Sequence, residues 1–434
     1  MSDKYEQLSL LESPVEGKKD TTSSFINNMS LPIHRWYRYS AGFSAEWVET
    51  IIKNYLEQNP NLKELNVYEP FAGSGTVLVA SDKIGVKSKG IEPHPLVYRI
   101  AKSKLSWDVD IAAFIALSNK ILDDSKSIKG STSGYPDLIY KCYPEEIHLQ
   151  LDQLKKSLIE NNEDSKEFEL VWLAFISILR SCSPAGTANW QYVLPNKLKA
   201  KYLYPFVAFS QKISLMAEDI LVMQKFASES KAELYQEDAR DCPSVPDAWA
   251  DLVITSPPYA NNYDYADATR LEMSFLGEIN GWGDLQEKVR KYLIRSCTQH
   301  VSKDRPNTFY FIEEEVLKPI REEIFDVCKE LEAERESHGG KKNYHTMIAT
   351  YFYDMANVFL ELRRVTKKGA TVCFVVGDSA PYGVYVPVDR WLGELAISAG
   401  FKSYKFEQTR VRNDKWKNRK HEVPLKEGRL WIRG

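Results

Sequence analysis

Apolar positions along this chain change period from segment to segment, and each change marks an element. Trp47, Val48, Ile51, Ile52 and Tyr55 recur at helical spacing. Leu65, Asn66, Val67 and Tyr68 then read as a short strand running into Gly73-Ser74-Gly75. A helix over 77–84 follows, and a second strand over 87–91 ends at Glu92. Strand, glycine turn, helix, and strand with a terminal acid form the opening unit of a doubly wound α/β sheet. Residues 108–230 turn mostly helical. The run 168–179 is apolar nearly all round, which predicts a buried helix, and 205–226 predicts an amphipathic one. Small and polar residues at 181–190, between these helices, read as a loop. Strands return at 232–236 and 250–255. Residues 260–345 are irregular and helical again, with an acidic helix over 313–336 and a break at Gly339-Gly340. A helix over 351–364, a strand over 370–376 and a strand pair over 403–412 and 428–433 close the chain.

The pattern thus predicts an α/β fold: a mostly parallel, doubly wound sheet with a C-terminal β-hairpin and two largely helical insertions. A polar leader without periodicity covers 1–28. The sheet is built from 29–107, 231–265 and 346–434, interrupted by 108–230 and 266–345. Both interruptions leave from carboxyl ends of strands, where such sheets bind ligands.

Composition narrows the class. Of 434 residues 43% are hydrophobic, with 21 Gly and 20 Pro, too few for a fibrous or disordered chain. The length predicts two to three structural units and a core that needs no staples. A formal charge of −3 announces no global basic excess, although a nucleic-acid enzyme needs only a local basic face. Cys142, Cys182, Cys242, Cys297, Cys328 and Cys373 lie far apart without a CxxC pair. That spacing suggests neither a zinc site nor a disulfide framework, and reads as thiols of a reducing compartment. With no signal peptide in the leader and no run of 18 apolar residues, the expectation is a cytoplasmic chain with no membrane partner and no metal.

Two motifs carry chemistry. Glu69-Pro70-Phe71-Ala72-Gly73-Ser74-Gly75-Thr76 lets the backbone turn tightly and approach a ligand. It lacks the G-x-G-x-x-G spacing and a Walker lysine, which weakens dinucleotide and nucleoside-triphosphate readings. Glu92, at the end of the next strand, can accept from ribose hydroxyls; a plain turn with a helix-capping acid would have the same pattern. Thr255-Ser256-Pro257-Pro258-Tyr259 follows the apolar strand Leu252-Val253-Ile254. Two prolines hold the backbone extended and remove two amide donors, leaving carbonyls free to grip an amino group beside the flat face of Tyr259. Alone, this motif favours a rigid polyproline turn with a buried tyrosine.

Together, EPFAGSGT followed by TSPPY resembles the S-adenosylmethionine-dependent amino-methyltransferases of DNA, which modify cytosine-N4 or adenine-N6 in restriction–modification systems. The likeness covers about 30–107, 231–265 and 346–434. Glu69 replaces the family's usual aspartate. The glycine motif comes first, preceded by an expected helix bearing Trp36, Tyr37, Tyr39 and Phe43, so the chain looks circularly permuted against many SPPY enzymes. The resemblance implies that Phe71, Ala72, Gly73, Gly75 and Thr76 wrap the methionine part of S-adenosyl-L-methionine, with Glu69 near its amino group. It further implies Glu92 on the ribose, and Asp238, with Ala239 and Thr255, at the adenine end, where Asp238 could instead be a helix N-cap. Ser256, Pro257, Pro258 and Tyr259 would hold and stack the target base. Serine before Pro-Pro-Tyr favours cytosine-N4 over adenine-N6. His94 reads as part of the cofactor-site wall or a surface residue rather than a base. The implied partners are double-stranded DNA and a cognate restriction endonuclease.

For the DNA face, Arg410, Arg412, Lys415, Lys417, Arg419 and Lys420 crowd around Trp416 and could grip phosphates, or form a solvated hairpin tip. Asn189, Trp190, Gln191 and Tyr192, followed by Lys197, Lys199 and Lys201, form a second candidate. Rival readings are an RNA guanine methyltransferase and a catalytically dead DNA-binding partner.

Overall fold

The computed structural model of the protein describes residues 26–39, 42–188, 191–412 and 423–434. The expected leader lies outside the described residues except for its last three. Asn28 is fully buried, donating to the Phe43 carbonyl (2.8 Å) and accepting from the Ala45 N–H (2.9 Å), so the packed structure begins before 29.

The strands, in chain order, are β1 Asn66–Glu69, β2 Lys87–Ile91, β3 Ala185–Thr187, β4 Val193–Leu198, β5 Ala232–Tyr235, β6 Ala250–Thr255, β7 Thr366–Gly377, β8 Ser403–Arg412 and β9 Leu425–Arg433. Seven form one sheet in the order β5-β2-β1-β6-β7-β9-β8. All neighbours run parallel up to β7, and β9 lies antiparallel between β7 and β8. The chain therefore winds outward from β1 through β2 to β5, then returns to the other side of β1 as β6. This makes the β1/β6 junction the topological switch point, where such sheets open a crevice.

Period-two alternation sorts the sheet's two faces. Val67, Leu252, Ile254, Cys373 and Val375 pack with Trp47, Val48, Ile52 and Val77 of the helices Ala45–Gln58 and Thr76–Ile84. Tyr68, Val253, Val372, Phe374 and Val376 pack instead with Phe352, Phe359 and Trp391 of the helices Tyr344–Val365 and Val388–Ser398. With both faces covered, the central strands carry no polar side, and β6 is buried along its whole length.

The helix Lys166–Cys182 of the first insertion, its apolar circumference buried as its composition requires, centres a core shared with Trp36, Leu78 and Leu96 before it and with Leu271 and Phe275 of the second insertion. Two expectations need correction. The stretch 181–190 is not a simple loop: it contains β3, which pairs antiparallel with β4 as a separate small sheet. Nor do Trp36, Tyr37, Tyr39 and Phe43 share a helix. Among the described residues of this stretch a single 3-10 turn forms, His34–Trp36: Pro32 and the left-handed Ile33 (φ 64°) precede it and Tyr37 is extended. Their aromatic rings are buried all the same. All six cysteines are buried free thiols.

Candidate active site

A cleft of about 760 Å³ opens at the switch point. Its floor is tied by the buried Glu69 at the end of β1, which accepts from the Thr255 hydroxyl at the end of β6 and from the Phe71 N–H (3.1 Å). Burial, reinforced by the nearby Glu92, pushes the Glu69 carboxyl well above the ordinary range despite those bonds.

The turn after β1 needs its glycines. Gly73 (φ +53°) and Gly75 (φ +84°) are left-handed, and Gly75 caps the helix Thr76–Ile84. A Cβ on Gly73 would meet the Tyr39 ring at 3.1 Å, so the backbone lies directly against an aromatic wall. Glu92 closes the turn from β2: one carboxylate oxygen accepts from the Gly73 N–H (2.9 Å), the other from the His94 N–H (2.9 Å). Burial outweighs these two bonds and raises Glu92 to about 7. Its oxygens retain further lone pairs, and the residue lines the cleft.

The sequence-derived candidates fall into two groups. Phe71, Ala72, Gly73, Thr76, Glu92, Asp238, Ala239, Ser256 and Pro258 line the cleft. Glu69, Gly75, Thr255, Pro257 and Tyr259 are not among its lining residues. His94 does line it, but as a buried N-cap: its ring accepts weakly from the Val97 N–H (3.5 Å) and lies 2.8 Å from the Thr269 hydroxyl. Burial lowers it to about 4, so the ring is neutral at physiological pH.

Asp238 is not a helix N-cap. Its carboxylate receives the Arg240 N–H (2.9 Å) and the Arg240 guanidinium (2.5 Å), forming a local turn closed by an ion pair. Arg240 in turn reaches the buried Asp354 (2.9 Å), which also holds Arg295 through two nitrogens (2.7 and 3.0 Å). A single carboxylate on the helix Tyr344–Val365 thus fastens both the loop after β5 and the segment beside Tyr292, Leu293 and Ile294, which also line the cleft.

Beyond β6, the Ser256 hydroxyl donates to the Val375 carbonyl (3.2 Å) on β7, which leaves its lone pairs available as acceptors. Tyr259 is half-buried beneath Arg412, whose guanidinium lies 5.5 Å from the ring centre. Burial and the nearby Glu427 hold its phenol protonated. Arg410 and Arg412 are both engaged inside the hairpin. Arg410 pairs with the buried Glu427 (2.7 Å), and Arg412 donates to the Asp378 carbonyl and lies 3.5 Å from the same glutamate. Lys415, Trp416, Lys417, Arg419 and Lys420 lie outside the described residues, as do Asn189 and Trp190.

Tyr265, Tyr292, Leu293 and Ile294 also line the cleft and were not anticipated. The tyrosine spacing in Tyr259-Ala260-Asn261-Asn262-Tyr263-Asp264-Tyr265 could have flagged the first. Residues 292–294 sit in an irregular stretch without local signal. Among the described residues one group has metal-ligand chemistry, the buried Asp264, Cys297 and His300. Its carboxylate already faces Arg290 (2.6 Å), a cation in the place a metal would need.

No family model matches the chain. It is 27% identical over 424 residues to the type II methyltransferase M.BsoBI of Geobacillus stearothermophilus, covering 88% of this chain and 81% of that protein. It is 27% identical over 417 residues to the type II methyltransferase M.AvaI of Nostoc sp., covering 88% and 82%. With the type II methyltransferase M.MvaI of Kocuria varians it shares 23% over 409 residues, covering 86% and 81%.

Proposed function

We propose, on the premise that the chain belongs with the type II restriction–modification methyltransferases, that it methylates the exocyclic amine of a flipped base in double-stranded DNA, cytosine-N4 in particular. The cleft at the β1/β6 switch point carries this reading. It brings the glycine turn, Glu92, Asp238, and Ser256 with Pro258 to one place from four separate chain segments.

The cleft's donor and acceptor set suits S-adenosylmethionine. Gly73 keeps the wall open where a Cβ would intrude, Glu92 offers carboxylate acceptors, and Phe71 and Ala72 supply apolar surface. When bound, this group supplies a methyl on a sulfonium already activated for displacement. The chain's own task is then alignment and exclusion of water. Glu92 would accept from the ribose hydroxyls with the lone pairs its two amide bonds leave over. Asp238 and Ala239 would hold the adenine end.

An exocyclic amine is a poor nucleophile because its lone pair is delocalised into the ring. Accepting its protons on the Ser256 hydroxyl oxygen and the Pro257 carbonyl would draw the nitrogen toward tetrahedral geometry. The bond from Ser256 to Val375 supports this role, since it commits the hydroxyl proton elsewhere. A base within a duplex cannot enter such a cleft and must be flipped out, with Tyr259 replacing the stacking it loses. The insertions 108–230 and 266–345 would carry target recognition, and a restriction endonuclease of the same specificity is the proposed partner.

The test is methyl transfer from labelled S-adenosylmethionine to unmethylated DNA, with the product nucleosides identified by mass spectrometry. N4-methylcytosine is expected. N6-methyladenine would overturn the base assignment, which rests on serine at position 256, and leave the mechanism standing. 5-Methylcytosine would overturn both, because carbon-5 chemistry needs a cysteine nucleophile and every cysteine here is buried. Tight binding of S-adenosylhomocysteine without any transfer would favour a catalytically inactive DNA-binding partner.

A further inference from the structure

We propose that the first insertion grips the duplex, through the exposed ribbon formed by the end of β4 and the segment leading to the helix Pro205–Met223. This rests on the reading of the protein as a DNA methyltransferase and goes further by assigning the duplex-binding surface to one insertion.

Charge is the first observation. From Leu170 to Ala217 the chain has no Asp or Glu, whereas Arg180, Lys197, Lys199, Lys201 and Lys212 all fall within it. The region 313–336 of the second insertion is the opposite, with ten acidic residues and four basic ones. The insertions as wholes carry the same net charge of −3, so the contrast is local: a polyanion is attracted to the stretch 170–217 and repelled by 313–336.

Exposure is the second. Residues 200–204 are all exposed, as are Asn196, Lys197 and Leu198. Leu198 is 78% exposed, Tyr204 49% and Leu203 43%, an aromatic and aliphatic surface interleaved with lysines. Lys197 and Lys201 have no ion-pair partner among the described residues. Lys199 is different: it donates to the Arg180 carbonyl (2.7 Å) and is part of the scaffold.

Continuity with the cleft is the third. The Tyr192 hydroxyl accepts from the Asp264 N–H (2.7 Å), and its ring lies 5.6 Å from that of Tyr263, four residues beyond the Pro-Pro-Tyr motif. The Gln191 side chain donates to the Arg38 carbonyl (2.8 Å), next to Tyr39 in the cleft wall. Arg180 binds the Gln191 carbonyl (2.6 Å) and the buried Glu272. The small sheet is thus rooted at the rim where the target base would enter, and the ribbon leads outward from it. A duplex whose base is flipped into the cleft would have its flanking phosphates within reach of this ribbon.

The test uses the full chain and a mixed-sequence duplex of 30 base pairs with S-adenosylhomocysteine, titrated at several salt concentrations. Replacing Lys197→Gln and Lys201→Gln together should lower the slope of log affinity against log salt by about 1.8, at about 0.9 per lost phosphate contact. S-Adenosylhomocysteine binding should stay unchanged. An unchanged slope overturns the proposal.

A second measurement does not depend on lost binding. Because all six native cysteines are buried, Leu198→Cys or Tyr310→Cys introduces one reactive thiol for a photo-crosslinker. Crosslinking to the duplex from Leu198→Cys, and not from Tyr310→Cys on the second insertion, supports the ribbon. The reverse pattern overturns it, as does crosslinking of Leu198→Cys only to a second copy of the chain. Failure of the underlying reading looks different: the wild-type protein would then neither bind duplex nor transfer methyl to it.

Discussion

Glu92 is the residue where burial and chemistry conflict most openly. Its folded-state value of about 7 lies above its ordinary 4.5, so burial favours the protonated form. A group raised in this way lends its stability in full below about 4.5, and that stability is lost as pH rises through about 7. The unliganded protein should therefore lose thermal stability between pH 5 and 8, and Glu92→Gln should flatten that slope. The proposed role of Glu92 on the ribose hydroxyls is strengthened by the charged acceptor form, so S-adenosylhomocysteine affinity should rise across the same window in the wild type and not in Glu92→Gln. The amide would also turn one N–H toward an existing backbone donor, at a cost of about 1–3 kcal/mol. Calorimetry at pH 6 and pH 8 checks both. At Gly73 an alanine would meet the left-handed penalty of about 1–2 kcal/mol and the Tyr39 ring together. Gly73→Ala should abolish measurable cofactor-product binding while the protein still folds. Tyr259→Ala should behave in the opposite way, losing stacking of about 1–3 kcal/mol and hence turnover, with S-adenosylhomocysteine affinity nearly intact.

Among the elements, the helix Tyr344–Val365 does more than cover the sheet. Asp354, buried in its middle, holds Arg240 and Arg295 and through them two walls of the cleft. Hydrogen bonds to charged groups contribute about 1.5–3 kcal/mol each, so releasing this clasp should first loosen the Asp238 side of the cleft, the proposed adenine end. Asp354→Asn should raise KM for S-adenosylmethionine about tenfold with little change in kcat. Equal losses in kcat and kcat/KM would instead place the residue's effect at the transferred methyl. Sequence could not reveal this clasp, because its three residues lie 55 to 114 positions apart without a shared motif.

In the whole molecule, the chain preceding the first sheet helix is held by the first insertion. Asp219, on the helix Pro205–Met223, accepts from the Ile33 N–H (3.1 Å), Arg35 (2.6 Å) and the Trp36 indole (2.9 Å). Asp219→Ala would strand the buried indole and amide donors. A loss of about 3 kcal/mol is expected from chemical denaturation, the low end for a broken buried pair because Arg35 keeps 29% exposure. The same cut should weaken the cleft, since Tyr39, Gly42 and Phe43 follow directly and line it. No helix among the described residues is long and apolar enough to cross a membrane.

The sequence by itself determined the sheet and the glycine turn beside it. The strand over 250–255 is legible because a strand covered on both faces demands an apolar run, and the turn at 73–75 because a left-handed backbone demands glycine; the strand over 87–91, Lys-Ser-Lys-Gly-Ile, is legible only from its place after that turn and helix. Those are local requirements, and they leave a local trace. Only the tertiary structure decided which aromatic residues reach the cleft, that Asp238 is tied to Arg240, and that Arg410 and Arg412 are bound to Glu427 within the hairpin. It also decided that 185–187 and 193–198 pair as a small sheet against the rim. These depend on contacts between distant segments, where the free energy resides in a pairing that neither partner's neighbours in sequence announce.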